Sequence, residues 1–149
     1  MLNDIIFCGI KAGADQDKIR TLDFVGLGRD NAISTFENIY MGILCTNMNV
    51  HLSETNFQTG YTHLSLDLYS LPARFKVYRN RFSGYWEMGI HTAGSVFPAQ
   101  RFEIESNVFE DNALIDFGPG GGSSLRYGLQ SVGFQPSKSN LNLYQGFRP

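Results

Sequence analysis

The stretch Phe75-Lys76-Val77-Tyr78-Arg79-Asn80-Arg81-Phe82-Ser83-Gly84-Tyr85-Trp86-Glu87-Met88-Gly89-Ile90 decides how this chain folds. Two apolar residues at period two, Phe75 and Val77, lead to Asn80 and then Phe82, and a second period-two pair, Met88 and Ile90, closes the stretch. Period two is the spacing of a half-buried strand. The same arrangement recurs on either side. Phenylalanines stand at Phe36, Phe57, Phe82, Phe109 and Phe134, separated by 21, 25, 27 and 25 residues. The last four are preceded, seven and five residues earlier, by Val50 and Leu52, Phe75 and Val77, Phe102 and Ile104, and Tyr127 and Leu129. Two residues before each comes Thr55, Asn80, Asn107 or Val132. An internal repeat of this length predicts a stacked solenoid.

The second half of each repeat selects the type of solenoid. Met41 and Ile43, then Leu64, Leu66 and Leu68, then Met88 and Ile90, Ile115 and Phe117, and Leu141 and Leu143 all follow the phenylalanine. A leucine-rich repeat would need a helix or tight turn here, with spacings of three and four. Leu64-Ser65-Leu66-Asp67-Leu68 alternates instead. Two parallel strands per repeat predict an all-β chain, a right-handed parallel β-helix solenoid of about five to six coils.

Asn80-Arg81-Phe82-Ser83-Gly84 with Met88-Gly89-Ile90, and Asn107-Val108-Phe109-Glu110-Asp111-Asn112, resemble the degenerate repeats of right-handed β-helix proteins. These are the pectate-lyase-like group and its repeat-rich secreted bacterial surface relatives. The resemblance spans roughly Thr35 to Tyr144. It implies the fold, and it leaves activity open, because lyases, hydrolases, adhesins and structural stalks share such coils.

The repeat also predicts a core. Phenylalanines at one position of successive coils stack about 4.8 Å apart, the strand spacing. Asn80 and Asn107 face inward at a bend, where an amide bonds the backbone and its neighbour above. Thr55 is a partial substitute, and Val132 breaks the column, so the last coil is expected to lack this ladder.

Composition fits one domain over residues 1–149, with an N-terminal coil or cap in 1–30, clear repeats in 33–144 and a tail in 145–149. Of the residues, 42% are hydrophobic and only 17% charged, and 16 glycines suit a turn-rich β protein. A net charge of −2 without a basic run gives nucleic acid no electrostatic footprint, and no apolar run is long enough for membrane insertion by a helix. The start lacks the pattern of a secretory signal, and neither end carries much of a cap, so a fragment of a longer protein is expected. Cys8 and Cys45, 37 residues apart, are expected on different sides of the cylinder as free thiols. No metal-ligand spacing and no calcium nonapeptide appears, so neither a metal nor another cofactor is expected. Gly118-Pro119-Gly120-Gly121-Gly122-Ser123-Ser124 lacks the Lys-Ser/Thr of a phosphate loop and reads as a turn.

Two constellations carry candidate chemistry. If Leu66, Ile90 and Ile115 point inward, then Asp67, His91 and Asp116 point outward in one column, with Leu44 below. Such a set could serve acid–base cleavage of a sugar polymer. The basic residues usual beside pectate-lyase-like sites are absent from that column, so these three are expected to be surface residues. The second constellation is aromatic. Tyr61, Tyr85 and Trp86, with Tyr40 one coil earlier, would offer a shelf for flat sugar faces, unless some turn inward at the corner. His51 and His63 are expected at the surface. The resulting expectation is a non-catalytic module of an extracellular or cell-surface protein. It would serve as a spacer and as a surface for polysaccharide or another surface protein. The competing reading is a polysaccharide lyase or glycoside hydrolase.

Overall fold

A computed structural model describes residues 6–14, 20–29, 35–69, 73–95, 100–110, 127–132, 134 and 136–145. The described residues are all-β, with parallel strands in two sheets and no helix. Twelve strands follow the chain: β1 (Ile6–Gly13), β2 (Thr21–Val25), β3 (Thr35–Thr46), β4 (Asn49–Ser53), β5 (Asn56–Leu68) and β6 (Arg74–Tyr78). Then come β7 (Arg81–Gly94), β8 (Arg101–Glu105), β9 (Val108–Glu110), β10 (Tyr127–Val132), β11 (Lys138–Asn140) and β12 (Leu143–Gln145). From β1 to β9 successive strands alternate between a long and a short sheet, and β10 follows β9 in the long one. The long sheet runs β1-β3-β5-β7-β9-β12, with β10 on the second half of β7, and the short sheet runs β11-β8-β6-β4-β2.

The bend between a short strand and the next long one is built the same way four times. Glu54, Arg79, Ser106 and Leu141 adopt left-handed φ values of 53–55°. Each directly precedes Thr55, Asn80, Asn107 or Asn142. The three asparagines fix this turn. Asn80, Asn107 and Asn142 donate Nδ2 to the carbonyls of Leu52, Val77 and Ile104 at 3.1, 2.9 and 2.9 Å. Their Oδ1 atoms accept the backbone N–H groups of Thr55, Asn80 and Asn107 at 3.1, 2.9 and 3.0 Å. Each amide thereby satisfies backbone groups that a bend would otherwise strand in the interior.

Two positions later stand the rings. Phe36, Phe57, Phe82 and Phe109 stack with centroids 5.0, 5.0 and 5.1 Å apart and planes within 16° of parallel. Tyr144 adds the next ring at 4.9 Å and 8°. The column joins the buried residues of both sheets, among them Leu52, Val77 and Ile104 on the short strands and Ile43, Leu64 and Ile90 on the long ones. Glycine opposite the column lets the rings approach the long strands. A Cβ on Gly42 or Gly89 would lie 3.1 Å from the Phe57 or Phe109 ring.

The last repeat departs from the expected phase. Tyr127 and Leu129 pair with Met88 and Ile90, so β10 belongs to the long sheet, not to the short strand preceding a phenylalanine. Phe134 packs 5.5 Å from Phe75 and 6.1 Å from Phe102, outside the column it was expected to extend. Tyr144 takes that rung instead, and Asn142 continues the ladder that Val132 was expected to end. Cys8 and Cys45 are free and lie on adjacent strands of one sheet, since Cys8 pairs with Met41 and Cys45 with Ala12. They are four positions apart along β3, on the same side of the molecule. Gly118 to Ser124 lies outside the described residues.

Candidate functional site

The outer faces of the two sheets differ in chemistry. On the short sheet, Asp23, His51, Lys76, Glu103 and Lys138 follow one another in register across five strands. His51 Nδ1 lies 3.3 Å from Asp23, and Lys138 pairs with Glu105. Charged and titratable side chains of this kind solvate a face. The long sheet presents rings, amides and hydroxyls, and the candidate groups are there.

Tyr40 and Tyr61 pair in register on β3 and β5, with ring centroids 4.7 Å apart and planes 6° from parallel. Tyr40 is 37% exposed. A hydrogen bond to the Glu87 carboxylate, aided by partial burial and the carboxylate's charge, pushes the Tyr61 hydroxyl up to about 12. That bond holds the second ring of the pair in place. Tyr85 does not extend this shelf. It is 1% exposed and turned into the core, edge-on to His63 at 5.8 Å. The side chain of Trp86 lies outside what the structure describes, but its backbone sits at an irregularity. Gly60 pairs with Tyr85 whereas Thr62 pairs with Met88, so β7 spends one more residue than β5 there. Such a bulge re-aims side chains.

His63 is buried, contrary to the surface position expected from parity. It sits in register between Gly42 and Gly89, and its ring lies 5.6 Å from Phe57 and 6.4 Å from Phe82. The imidazole lies over Gly60, where a Cβ would come within 3.1 Å of Nδ1. Its Nε2 is 2.7 Å from the Ser83 carbonyl, which makes Nε2 the protonated nitrogen of the neutral ring. Burial pushes its pKa down to about 4, against a smaller upward pull from that carbonyl.

Asp67 and His91 do not share a column. Asp67 pairs with Ala93, and His91 pairs with Ser65 above Leu44, two positions away along the strand. Ser65, which sequence reasoning passed over, joins them. Its Oγ donates to Asp67 Oδ1 at 3.2 Å and lies 3.4 Å from His91 Nδ1. Burial raises the Asp67 pKa, opposed by the Ser65 bond and by His91. Which of Ser65 and His91 donates in their contact follows from the imidazole tautomer. Asp116 lies outside the described residues.

A third feature was not anticipated. Asn56, Gln58, Thr59, Arg81, Ser83, Gly84 and Glu110 line a cleft of about 460 Å³ where three long strands begin. Asn56 pairs with Arg81, and Gln58 with Ser83, which pairs in turn with Glu110. Arg81 makes two bonds to the Glu110 carboxylate, at 2.6 and 3.3 Å. Ser83 donates to the Phe57 carbonyl at 3.1 Å. Thr59 and Gly84 form the wall, both at left-handed φ, 50° and 61°. A Cβ on Gly84 would stand 3.0 Å from the Thr59 nitrogen, so glycine keeps this wall open. The signal in the sequence was available: the residues flanking Phe57 and Phe82 are polar on both sides, and alternation sends them away from the ring column.

Among the described residues no group of three or more His, Cys, Asp or Glu side chains is arranged to hold a metal ion, and no helix is long and apolar enough to cross a membrane. Comparison of the chain with protein family models, with curated proteins and with solved structures gives no match.

Proposed function

We propose that the chain is a right-handed parallel β-helix of about five to six coils. In this reading it acts as a non-catalytic module of an extracellular or cell-surface protein that presents a glycan-binding face. The coil reading is supported by strands that alternate between two parallel sheets from β1 to β9, with the same left-handed bend before four long-sheet strands and a ring at one position on five. Right-handedness follows from the general preference of parallel crossovers. The binding role rests on one observation, the parallel Tyr40–Tyr61 pair at the surface of the long sheet, braced by Glu87. The two rings stack face to face, and the outer face of such an exposed stack can take the flat face of a sugar ring. A spacer role needs only the stacked coils and accompanies this one.

The competing lyase or hydrolase reading is favoured by the Ser65–Asp67–His91 cluster. Nucleophile activation there would require the Ser65 hydroxyl to turn its hydrogen from Asp67 to His91 Nδ1. Incubation with acidic and neutral polysaccharides tests both readings. The module reading expects retention on at least one polymer, weakened by Tyr61→Ala, with neither unsaturated nor reducing ends released. Release of such ends that His91→Ala abolishes, in a protein that still folds, would reverse the choice.

A further inference from the structure

We infer that the cleft lined by Asn56, Gln58, Thr59, Arg81, Ser83 and Glu110 binds one sugar unit of a neutral, uncharged polysaccharide, an assignment that rests on the glycan-binding reading above. The cleft holds two amides and two hydroxyls together with one cation and one carboxylate. Its volume of about 460 Å³ falls within the range of small-ligand sites, roughly 300–1,000 Å³. An apolar guest would strand these polar groups without partners, at a cost for each. An anionic guest would meet a cation already held by two bonds to Glu110, and would set its own charge against that carboxylate. Sugar hydroxyls both donate and accept, as amide and hydroxyl side chains do, and they fit this set without a charge change.

One atom points the same way. Asn56 is 3% exposed, its Nδ2 bonds Thr35 Oγ1 at 3.3 Å, and its Oδ1 has no partner although it is buried. A buried acceptor left unpaired in a cleft wall calls for an explanation, and a donor hydroxyl supplied by a ligand is one. The shelf lies close along the chain. Tyr61 follows Thr59 by two residues on β5, so a polymer stacked on the tyrosines has its next units near the polar cleft.

The test uses the whole chain with immobilised gluco-, manno-, xylo- and galacto-hexaoses as neutral probes and a galacturonate hexamer as the acidic one. The side-chain amide signals of Asn56 and Gln58 are followed by ¹⁵N NMR. The expected result is binding of a neutral hexaose, with shifts in both amide signals and a loss of at least tenfold in Gln58→Trp, which fills the cleft. If that variant fails to fold, the amide shifts in the native protein decide alone. Full binding in folded Gln58→Trp with loss in Tyr61→Ala overturns the cleft and leaves the shelf standing. Tighter binding of the galacturonate overturns the neutral assignment. No binding of any probe removes both this inference and the glycan-binding reading.

Discussion

Asn107 Oδ1 accepts both the backbone N–H and the side-chain amide of Asn80, at 2.9 and 3.1 Å, while its own Nδ2 reaches back to the Val77 carbonyl. A single amide thus satisfies two buried backbone groups of the neighbouring bend, whose left-handed residue, Arg79, is held at φ 53°. Replacing Asn107 with alanine strands both. Each buried group left unpaired costs about 1–3 kcal/mol. Asn142→Ala is expected to cost less, because this residue and its bonds are only partly buried. Urea unfolding of the two variants checks the order, and equal losses would show that the ladder is not what holds the bend.

The ring column predicts a second gradient. Phe82 is fully buried between Phe57 and Phe109, at 5.0 and 5.1 Å. Phe82→Ala leaves a cavity that two fixed rings cannot close, and a loss of about 3–5 kcal/mol is expected. Phe36 has a ring neighbour in the column on only one described side and is partly exposed, so Phe36→Ala should cost clearly less. Denaturation midpoints with unchanged slopes would measure the difference.

The column and the ladder were legible because they repeat at nearly constant separation, 25 residues from Phe57 to Phe82 and 27 from there to Phe109. The last repeat was not, for a reason of length. Asn107 and Asn142 are 35 residues apart, so an alignment at the earlier spacing lands on Val132 and Phe134 instead of Asn142 and Tyr144. Register along the second strands failed for a different reason. Setting Leu66 beside Ile90 was already one residue short of the ring spacing, and the extra residue in β7 adds a second, so Leu64 is the partner of Ile90 and Asp67 lies two positions from His91. The burial of Tyr85 and His63 was hidden by the bends at Thr59 and Gly84, beyond which alternation counted from the phenylalanine no longer predicts which side a residue faces. A bulge or a left-handed residue leaves little trace in hydrophobic periodicity, and each resets it.

The two thiols should differ sharply in reactivity. Cys45 is 1% exposed, and burial, with smaller contributions from Cys8 and Asp67, pushes its pKa up to about 12. Only the thiolate attacks alkylating reagents. Treatment of the native protein with iodoacetamide near pH 8 is expected to leave Cys45 unmodified until the chain unfolds, while the partly exposed Cys8 reacts first. Peptide mapping distinguishes the sites. Rapid labelling of Cys45 would mean that β3 opens readily.

His63 gives the fold a defined acid sensitivity. Its pKa is held down to about 4 in the folded chain, against the 6.5 usual for histidine. Between those two values the unfolded chain binds a proton that the folded chain does not, so stability rises with pH across that window. The contribution is fully present above pH 6.5 and is lost progressively as the pH falls toward 4, amounting to about 3 kcal/mol for a shift of this size. Asp67 has the opposite sign. Its raised pKa means that the folded chain holds a proton longer, so stability falls as pH climbs above 3.8. Comparison with a variant that lacks the imidazole separates the two contributions. His63→Gln retains a donor for the Ser83 carbonyl but has no proton to gain. Urea unfolding at steps from pH 7 to pH 5 should show a decline in the native protein and a flatter profile in the variant. Parallel profiles would assign the acid sensitivity to another group and would count against a neutral, buried imidazole.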